Sequence, residues 1–598
     1  MAMRWMALVI CLVAAPGVKA TSAPSASEGG VQVLIDVSGS MKRTDPLNLR
    51  QPALRLLVGL MPDGQRTGLW FFGEGVREAL PMQRVDARWR KQAEATAGRI
   101  GSRDLFTDIG GALEAAMRDW AVPEGDASKP RHIILLSDGM VDISKEADKN
   151  VEARRKVLET ILPALRERRI RVHTIALSEE ADHELLRRLA EQTDGVYEAL
   201  QDAGRLQRAF LHLFEKSAPR DTLPLRDNRF TVDPSVSELT LLVFRKDGAP
   251  PTRLRLPDKS VVDAASAAAR EGWRWDSEAG RDLITITAPL PGEWRIQADV
   301  DPDNRAMVVT HLKLASEPIP NQLYVGERFD ASFYLTENDA PLSDTRLLRE
   351  IRLLGVLTGP GAPAGERQLT DDGSGLDRVG ADGRYDLPLT EGLGEGAYQL
   401  LVRAVSPTFE RELRHDFSLN GARLLGFTLA GDPSAPVVEV RPEAGVLDPE
   451  RMKLDGHVAC PGQPPRTVEF TRLDLAGPVW IAGLEAQESG HLGCTVSALV
   501  DGVTLAGRAI RYGAPSWPLP KPEAAAPAAK SEGNKQGAAP TELEKPEKKE
   551  AGSGTWIVIA IIVLANLLLG GAAWLGLRLW RRREAQQMQK ILEEGETQ

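Results

Sequence analysis

Val31-Gln32-Val33-Leu34-Ile35-Asp36-Val37-Ser38-Gly39-Ser40-Met41 begins as an almost unbroken apolar, β-branched run and closes on Asp-x-Ser-x-Ser. The first part has the composition of a strand buried on both faces, and the polar end marks where that strand stops. Outward from it, strand patterns over 67–72, 132–137, 171–177 and 196–200 alternate with helical ones over 47–60, 87–100, 109–120, 151–168, 183–192 and 205–216. Apolar residues three or four apart in the helical stretches predict an α/β doubly wound, Rossmann-like sheet with helices on both faces. Ligands of such sheets gather at the carboxyl ends of the strands.

Two further motifs fall at that edge. Phe106-Thr107-Asp108-Ile109-Gly110-Gly111-Ala112-Leu113 opens a helix, and Ile133-Ile134-Leu135-Leu136-Ser137-Asp138-Gly139 ends a strand at an acidic turn. Asp-x-Ser-x-Ser alone is a common string; three oxygen-bearing loops at one sheet edge are a stronger pattern. Hard divalent cations take oxygen ligands, and hydroxyls with only two carboxylates would leave such an ion open to an outside carboxylate. The same residue types also end strands, form turns and cap helices.

The constellation resembles the von Willebrand factor A (VWA) domain and its metal-ion-dependent adhesion site (MIDAS), over residues 29–217. The resemblance implies that Asp36, Ser38 and Ser40 form the first ligand set, Thr107 the second and Asp138 the third, around Mg²⁺ (or Mn²⁺ or Ca²⁺), the aspartates acting directly or through water. It implies docking of a protein ligand that presents an acidic side chain, and in ion-dependent A domains a movement of the last helix, here 205–216. No general base or nucleophile constellation accompanies the site, so the chain reads as a binding protein and not an enzyme.

The chain has 598 residues, so several domains are expected. With 74 Lys+Arg against 84 Asp+Glu and a net charge of -10 it has no global basic field, and nucleic acid is excluded as a first partner. A mean hydropathy of -0.24 excludes a polytopic membrane protein. The zincin-like string His183-Glu184-Leu185-Leu186-Arg187 lacks the second histidine.

After Ser217, alternating strands between Pro/Gly/Asp turns predict tandem all-β, immunoglobulin-like sandwich modules over 218–312, 313–420 and 421–513. Pro291-Gly292-Glu293-Trp294 and Glu395-Gly396-Ala397-Tyr398 repeat a glycine turn before an aromatic-led strand. Cys460 and Cys494 stand in candidate strands of an exported region, where a disulfide is the natural pairing and two buried free thiols the alternative. The runs Asp299, Asp301, Asp303 and Asp371-Asp372-Gly373-Ser374-Gly375-Leu376-Asp377 with Asp382-Gly383 invite a calcium reading but depart from the EF-hand pattern, so turns are preferred.

Both ends carry targeting signals. Arg4, an apolar run over 6–15 and Val18-Lys19-Ala20 read as a signal peptide over 1–20. An Ala/Pro/Lys/Glu linker over 514–554 precedes an apolar stretch over 556–577, long enough for a transmembrane helix, and Arg578, Arg581, Arg582 and Arg583 keep the tail 578–598 in the cytoplasm. The expected layout is a single-pass cell-membrane protein with its N-terminal ectodomain in the periplasm or extracellular space. It is similar to bacterial surface or periplasmic proteins with a VWA head, a β-sandwich stalk and one C-terminal anchor. The alternatives are an assembly factor beside an AAA+ ATPase, which this topology opposes, and a hydrolase with its site in the β modules.

Overall fold

The computed structural model describes residues 29–122 and 129–519, apart from 247, 279, 343–344, 376, 378, 422–423, 433–434, 444, 475–476, 486–487 and 489–492. The expected signal peptide, transmembrane span and tail lie outside the described residues, as does the linker beyond 519. Among the described residues no helix is long and apolar enough to cross a membrane.

The head is a six-stranded sheet, β1 (Gly30–Asp36), β2 (Arg66–Phe72), β3 (Val76–Arg84), β4 (Arg131–Ser137), β5 (Ile170–Ala176) and β6 (Tyr197–Ala199), in the order β3-β2-β1-β4-β5-β6. All neighbours are parallel except β2 and β3. Every residue of β1 and β4 is buried, as central strands covered on both sides require.

Among the described residues the head has eight α-helices, in chain order α1 (Met41–Thr44), α2 (Arg50–Leu60), α3 (Ala87–Ala97), α4 (Ile109–Met117), α5 (Ala147–Lys156), α6 (Leu162–Glu167), α7 (His183–Gln192) and α8 (Leu206–Ser217). Leu54, Leu57, Trp89, Phe210 and Phe214 from α2, α3 and α8 build the core on one face of the sheet. Leu113, Leu165, Leu185 and Leu189 from α4, α6 and α7 build the other. The helix expected over 151–168 is broken by one wide turn at Val157–Ile161, just before Pro163, which has no N–H to give and crowds the carbonyl four residues back.

Among the described residues the strands after Ser217 form five sheets around three further cores, three sandwiches of which the first two share one sheet. The repeated glycine turn is real: Gly292 (φ 126°) and Gly396 (φ 154°) start strands whose third residues, Trp294 and Tyr398, are buried. Cys460 and Cys494 form a disulfide beside the core of the third sandwich.

The expected stalk is not separate from the head. Leu242, Phe244, Leu283 and Met307 of the first sandwich belong to the same buried cluster as α2 and α8. The sheet that carries them does not stop at the expected boundary: the two-residue strand Asp221–Thr222 pairs with Arg305–Thr310 on one side and with Glu410–Asn420 on the other, giving a ten-stranded sheet among the described residues.

Candidate metal centre

β1 and β4 lie side by side at the point where the strand order reverses, and both end at the same edge. The register Ile35↔Leu136 sets Asp36 beside Ser137, whose hydroxyl donates to Asp36 Oδ2 at 2.7 Å. The Ser38 N–H donates to Asp36 Oδ1 at 2.8 Å, a local turn that folds the chain back on itself. Ser38 Oγ and Ser40 Oγ then stand 2.9 Å apart. Ser40 Oγ donates to Asp138 Oδ1 at 2.7 Å, and Thr44 Oγ1 donates to Asp138 Oδ2. Ser178 Oγ donates to the Asp138 carbonyl at 2.5 Å, which fixes that loop from the β5 side.

Thr107 arrives from the third loop. Its N–H donates to the Asp142 carbonyl at 2.6 Å and its carbonyl accepts the Asp142 N–H at 3.2 Å, so the chain after Asp138 holds it in place. It is not the cap of α4: Asp108 fills that role, accepting the Gly111 N–H at 2.8 Å. Helix capping therefore does not account for the Thr107 side chain. A Cβ added to Gly139 would stand 3.5 Å from Thr107 Oγ1 and 3.9 Å from Ser40 Oγ, so the space in front of Gly139 is shared by hydroxyls from two loops. All five expected residues meet here. Asp36, Ser38, Thr107 and Asp138 are buried and Ser40 is half-buried.

Sequence reasoning missed the side chains that hold these loops. Arg50 and Asp45 form a fully buried ion pair at 2.7 Å. Arg50 Nη1 also donates to the Asp36 carbonyl at 2.6 Å, and Nη2 donates to Ser102 Oγ at 2.7 Å, tying the first loop to the one before Thr107. The signal was an arginine at a helix position whose neighbours are core residues, which from sequence looks like a solvated one.

The donor set suits a hard cation. All five side chains offer oxygen, the charge of Asp138 is felt at the Asp36 carboxylate, and the Arg50 guanidinium binds the Asp36 carbonyl instead of its carboxylate. Burial is the main reason the Asp36 carboxyl is pushed up to about 6; the Asp138 charge adds to the rise, while hydrogen bonds from Ser38 and Ser137 oppose it. A positive ion held by these side chains would relieve this crowding of negative charge.

The other acidic and histidine motifs are engaged elsewhere. Asp301 and Asp303 both bind Arg208 of α8, and Asp301 does so at 2.8 Å. Burial pulls His212 of α8 down, yet hydrogen bonds to Asp303 and Glu198 outweigh it and raise it to about 10. His183 Nδ1 lies 2.6 Å from the Tyr197 hydroxyl, and Glu184 pairs with Arg154 at 2.9 Å. Asp371, Asp377 and Asp382 have carboxylate oxygens within 4.8 Å of one another, and each also accepts backbone N–H groups of its own turns.

Residues 30–199 match the family model described as von Willebrand factor type A domain. No curated protein matches the chain. Among solved structures the chain is similar to a von Willebrand factor type A protein from Catenulispora acidiphila, at 17% identity over 53% of this chain and 64% of that one, with a TM-score of 0.26. It is similar to proximal thread matrix protein 1 from the mussel byssus, described with a zinc-occupied MIDAS motif, at 16% identity over 35% and 50% of the two chains and a TM-score of 0.25. A third is BatB from Bacteroides thetaiotaomicron, at 20% identity over 32% and 98% and a TM-score of 0.24. This chain thus spans less than two thirds of the first two. Residues 30–199 are a von Willebrand factor type A domain, and the loops that bring Asp36, Thr107 and Asp138 together belong to it.

Proposed function

We propose that this protein is a membrane-anchored, extracytoplasmic binding protein whose head takes an acidic side chain of a protein partner through a divalent cation, and that it is not an enzyme. The observation that carries this reading is the meeting of Asp36, Ser38, Ser40, Thr107 and Asp138 from three loops at one sheet edge, with Ser40 Oγ bonded to Asp138 and lying, like Thr107 Oγ1, within 4 Å of the position of a Cβ on Gly139. Bound there, Mg²⁺ (or Mn²⁺ or Ca²⁺) would supply an electrophilic centre with exchangeable water positions for a partner's carboxylate.

The chain's own residues divide the work. Asp36 and Asp138 supply negative charge, while Ser38, Ser40 and Thr107 supply neutral oxygens that leave the ion's charge partly unbalanced. Arg50, Thr44, Ser137 and the Asp142 backbone hold those groups in position before any ion arrives. The loops 36–50, 101–108 and 138–146 contain no histidine or cysteine that could serve as base or nucleophile.

Calorimetry with Mg²⁺ and Mn²⁺ tests the site. Asp36→Ala and Thr107→Ala are expected to abolish binding with the circular dichroism spectrum retained, and unchanged ion affinity in both variants overturns the assignment. Placement is tested by protease treatment of intact spheroplasts, which should digest the head and spare the tail; a protected head would refute it.

A further inference from the structure

A second cleft lies at the other end of the head's sheet. The candidate metal centre stands where β1 and β4 end, around Asp36 and Asp138; this cleft, of about 690 Å³, opens where β4 and β5 begin, at Arg131 and Ile170. The second sandwich, with Tyr324, and the third, with Gly445 and Leu505, close its other sides. Its lining is strongly basic, although the chain carries a net charge of -10. Lys129, Arg131, Arg166, Arg169, Arg171 and Arg508 line it with two carboxylates among the described residues, Glu191 and Asp194. The source is local in sequence: Lys129-Pro130-Arg131 leads into β4, and Arg166-Glu167-Arg168-Arg169-Ile170-Arg171 leads from α6 into β5. The charges next to the lining do not cancel this excess, because Arg168, Arg187 and Lys216 are balanced by Glu167, Glu327 and Glu443.

Two of the lining cations serve joints between modules. Arg171 pairs with Asp194 at 3.0 Å, and Asp194 also accepts the Asn321 and Gln322 N–H groups of the second sandwich at 2.8 and 3.0 Å. Arg508 of the third sandwich pairs with the buried Glu327 of the second. Lys129 and Arg166 are different: neither makes an ion pair or side-chain hydrogen bond among the described residues. Arg166 is nevertheless half-buried, and its Nη1 lies 3.1 Å from where a Cβ on Gly445 would stand, so the guanidinium sits between the head and the third sandwich. Partial burial of a cation is costly unless a counter-charge meets it.

We infer that this cleft is an anion site for an organic phosphate, whose dianionic group takes up the positive charge of Arg166 and Lys129 and whose remainder lies against Tyr324 and Leu505. Guanidinium groups present a planar fork of N–H donors that matches phosphate oxygens. A dianion offsets more of the excess charge than a carboxylate does. Leu505, 45% exposed at the lip, is apolar surface that inorganic phosphate would leave in water. Soluble phosphate esters and lipid headgroups present the same chemistry, and the test separates them. The site is independent of the metal reading, since none of its residues belongs to the metal loops.

Calorimetry on the purified full-length chain in metal-free buffer tests this with two probes, glycerol phosphate and water-soluble dihexanoyl phosphatidic acid. At least one is expected to bind. Lys129→Gln/Arg166→Gln, with the circular dichroism spectrum retained, should weaken that binding about tenfold, while the exposed control pair Lys91→Gln/Arg99→Gln leaves it unchanged. If the double variant loses the spectrum, Lys129→Gln alone, at an exposed position, is read in its place, with a weakening of about threefold expected. Tighter binding of the phosphatidic acid assigns a lipid headgroup; equal or weaker binding assigns a soluble ester. Failure of both probes to bind, binding indifferent to the cleft variants, or binding weakened as much by the control pair overturns the site.

Discussion

Arg50 Nε donates to Asp45 Oδ2 at 2.7 Å, and neither side chain has any solvent exposure. Because Arg50 also binds the Asp36 carbonyl, this ion pair is wired to the first residue of the candidate metal centre. Removing one partner of such a pair leaves the other charged and dry, which costs about 3–5 kcal/mol. Arg50→Gln is expected to destabilise the head by that amount in chemical denaturation and to weaken Mg²⁺ binding in calorimetry. Arg50→Met/Asp45→Leu should recover part of the stability but not the ion affinity, since the Asp36 carbonyl stays unanchored.

Gly139 separates stability from ion binding in the opposite direction. Its backbone is not in the left-handed region, and the nearest side-chain atom to an added methyl is 3.5 Å away, so the fold accommodates alanine. The methyl would nevertheless stand against the hydroxyls of Thr107 and Ser40. Gly139→Ala is expected to keep unfolding free energy within about 1 kcal/mol of the parent and to lower Mg²⁺ affinity about tenfold, equivalent to about 1.4 kcal/mol.

His132 and His173 give the head an acid-sensitive core. Their rings stack with centroids 5.2 Å apart, and His132 Nδ1 lies 2.9 Å from His173 Nε2. His173 Nδ1 accepts the Val196 N–H, so its Nε2 carries the proton and donates to His132. Burial first, then the Arg171 and Lys216 charges, push His173 down to about 3; burial, His173 and Arg171 hold His132 well below the usual range. Both are thus depressed relative to the unfolded chain, near 6.5. Their contribution to stability is complete above that pH and is lost as pH falls from about 6.5 toward 3. Denaturation midpoints measured between pH 7.5 and 4 should fall, with a limiting slope of about 1.4 kcal/mol per pH unit for each histidine. His132→Leu/His173→Leu should flatten that slope.

The Cys460–Cys494 disulfide closes a loop with a sequence separation of 34. Restriction of the unfolded chain over such a loop is worth about 3–4 kcal/mol. Cys460→Ser/Cys494→Ser is expected to lower the stability of the third sandwich by that amount in a denaturation curve followed at Trp480, while Mg²⁺ binding by the head is unchanged.

How much of this was legible depended on whether the signal was local. The five oxygen-bearing residues lie in short loops where strand ends are marked by polarity, and α7 spans 183–192 as its apolar spacing predicts. β3 was missed because an edge strand alternates exposed polar residues and here includes Pro81, a pattern that reads as loop. Arg50 was missed because nothing in a sequence distinguishes a buried, fully bonded arginine from a solvated one. Asp301 and Asp303 read as turn residues, and their partner Arg208 lies in another element altogether. The fusion of head and first sandwich was illegible for the same reason: Leu242, Phe244, Leu283 and Met307 announce burial without saying against what.

The two residues Asp221–Thr222 give this architecture a mechanical character. They close the ladder between Arg305–Thr310 and Glu410–Asn420, so the sheet has no seam where the first two sandwiches meet. At the same junction α8 is held by Arg208 to Asp301, by Glu215 to Arg305 at 2.6 Å and by Lys216 to the Asp416 carbonyl at 2.5 Å, over an apolar layer shared with α2. Under the proposed function, a pull on a partner held at the metal loops would act on a head bonded to this sheet at several points. A turn of α8 would therefore have to break its bonds to Asp301, Arg305 and the Asp416 carbonyl or move the sheet that carries them.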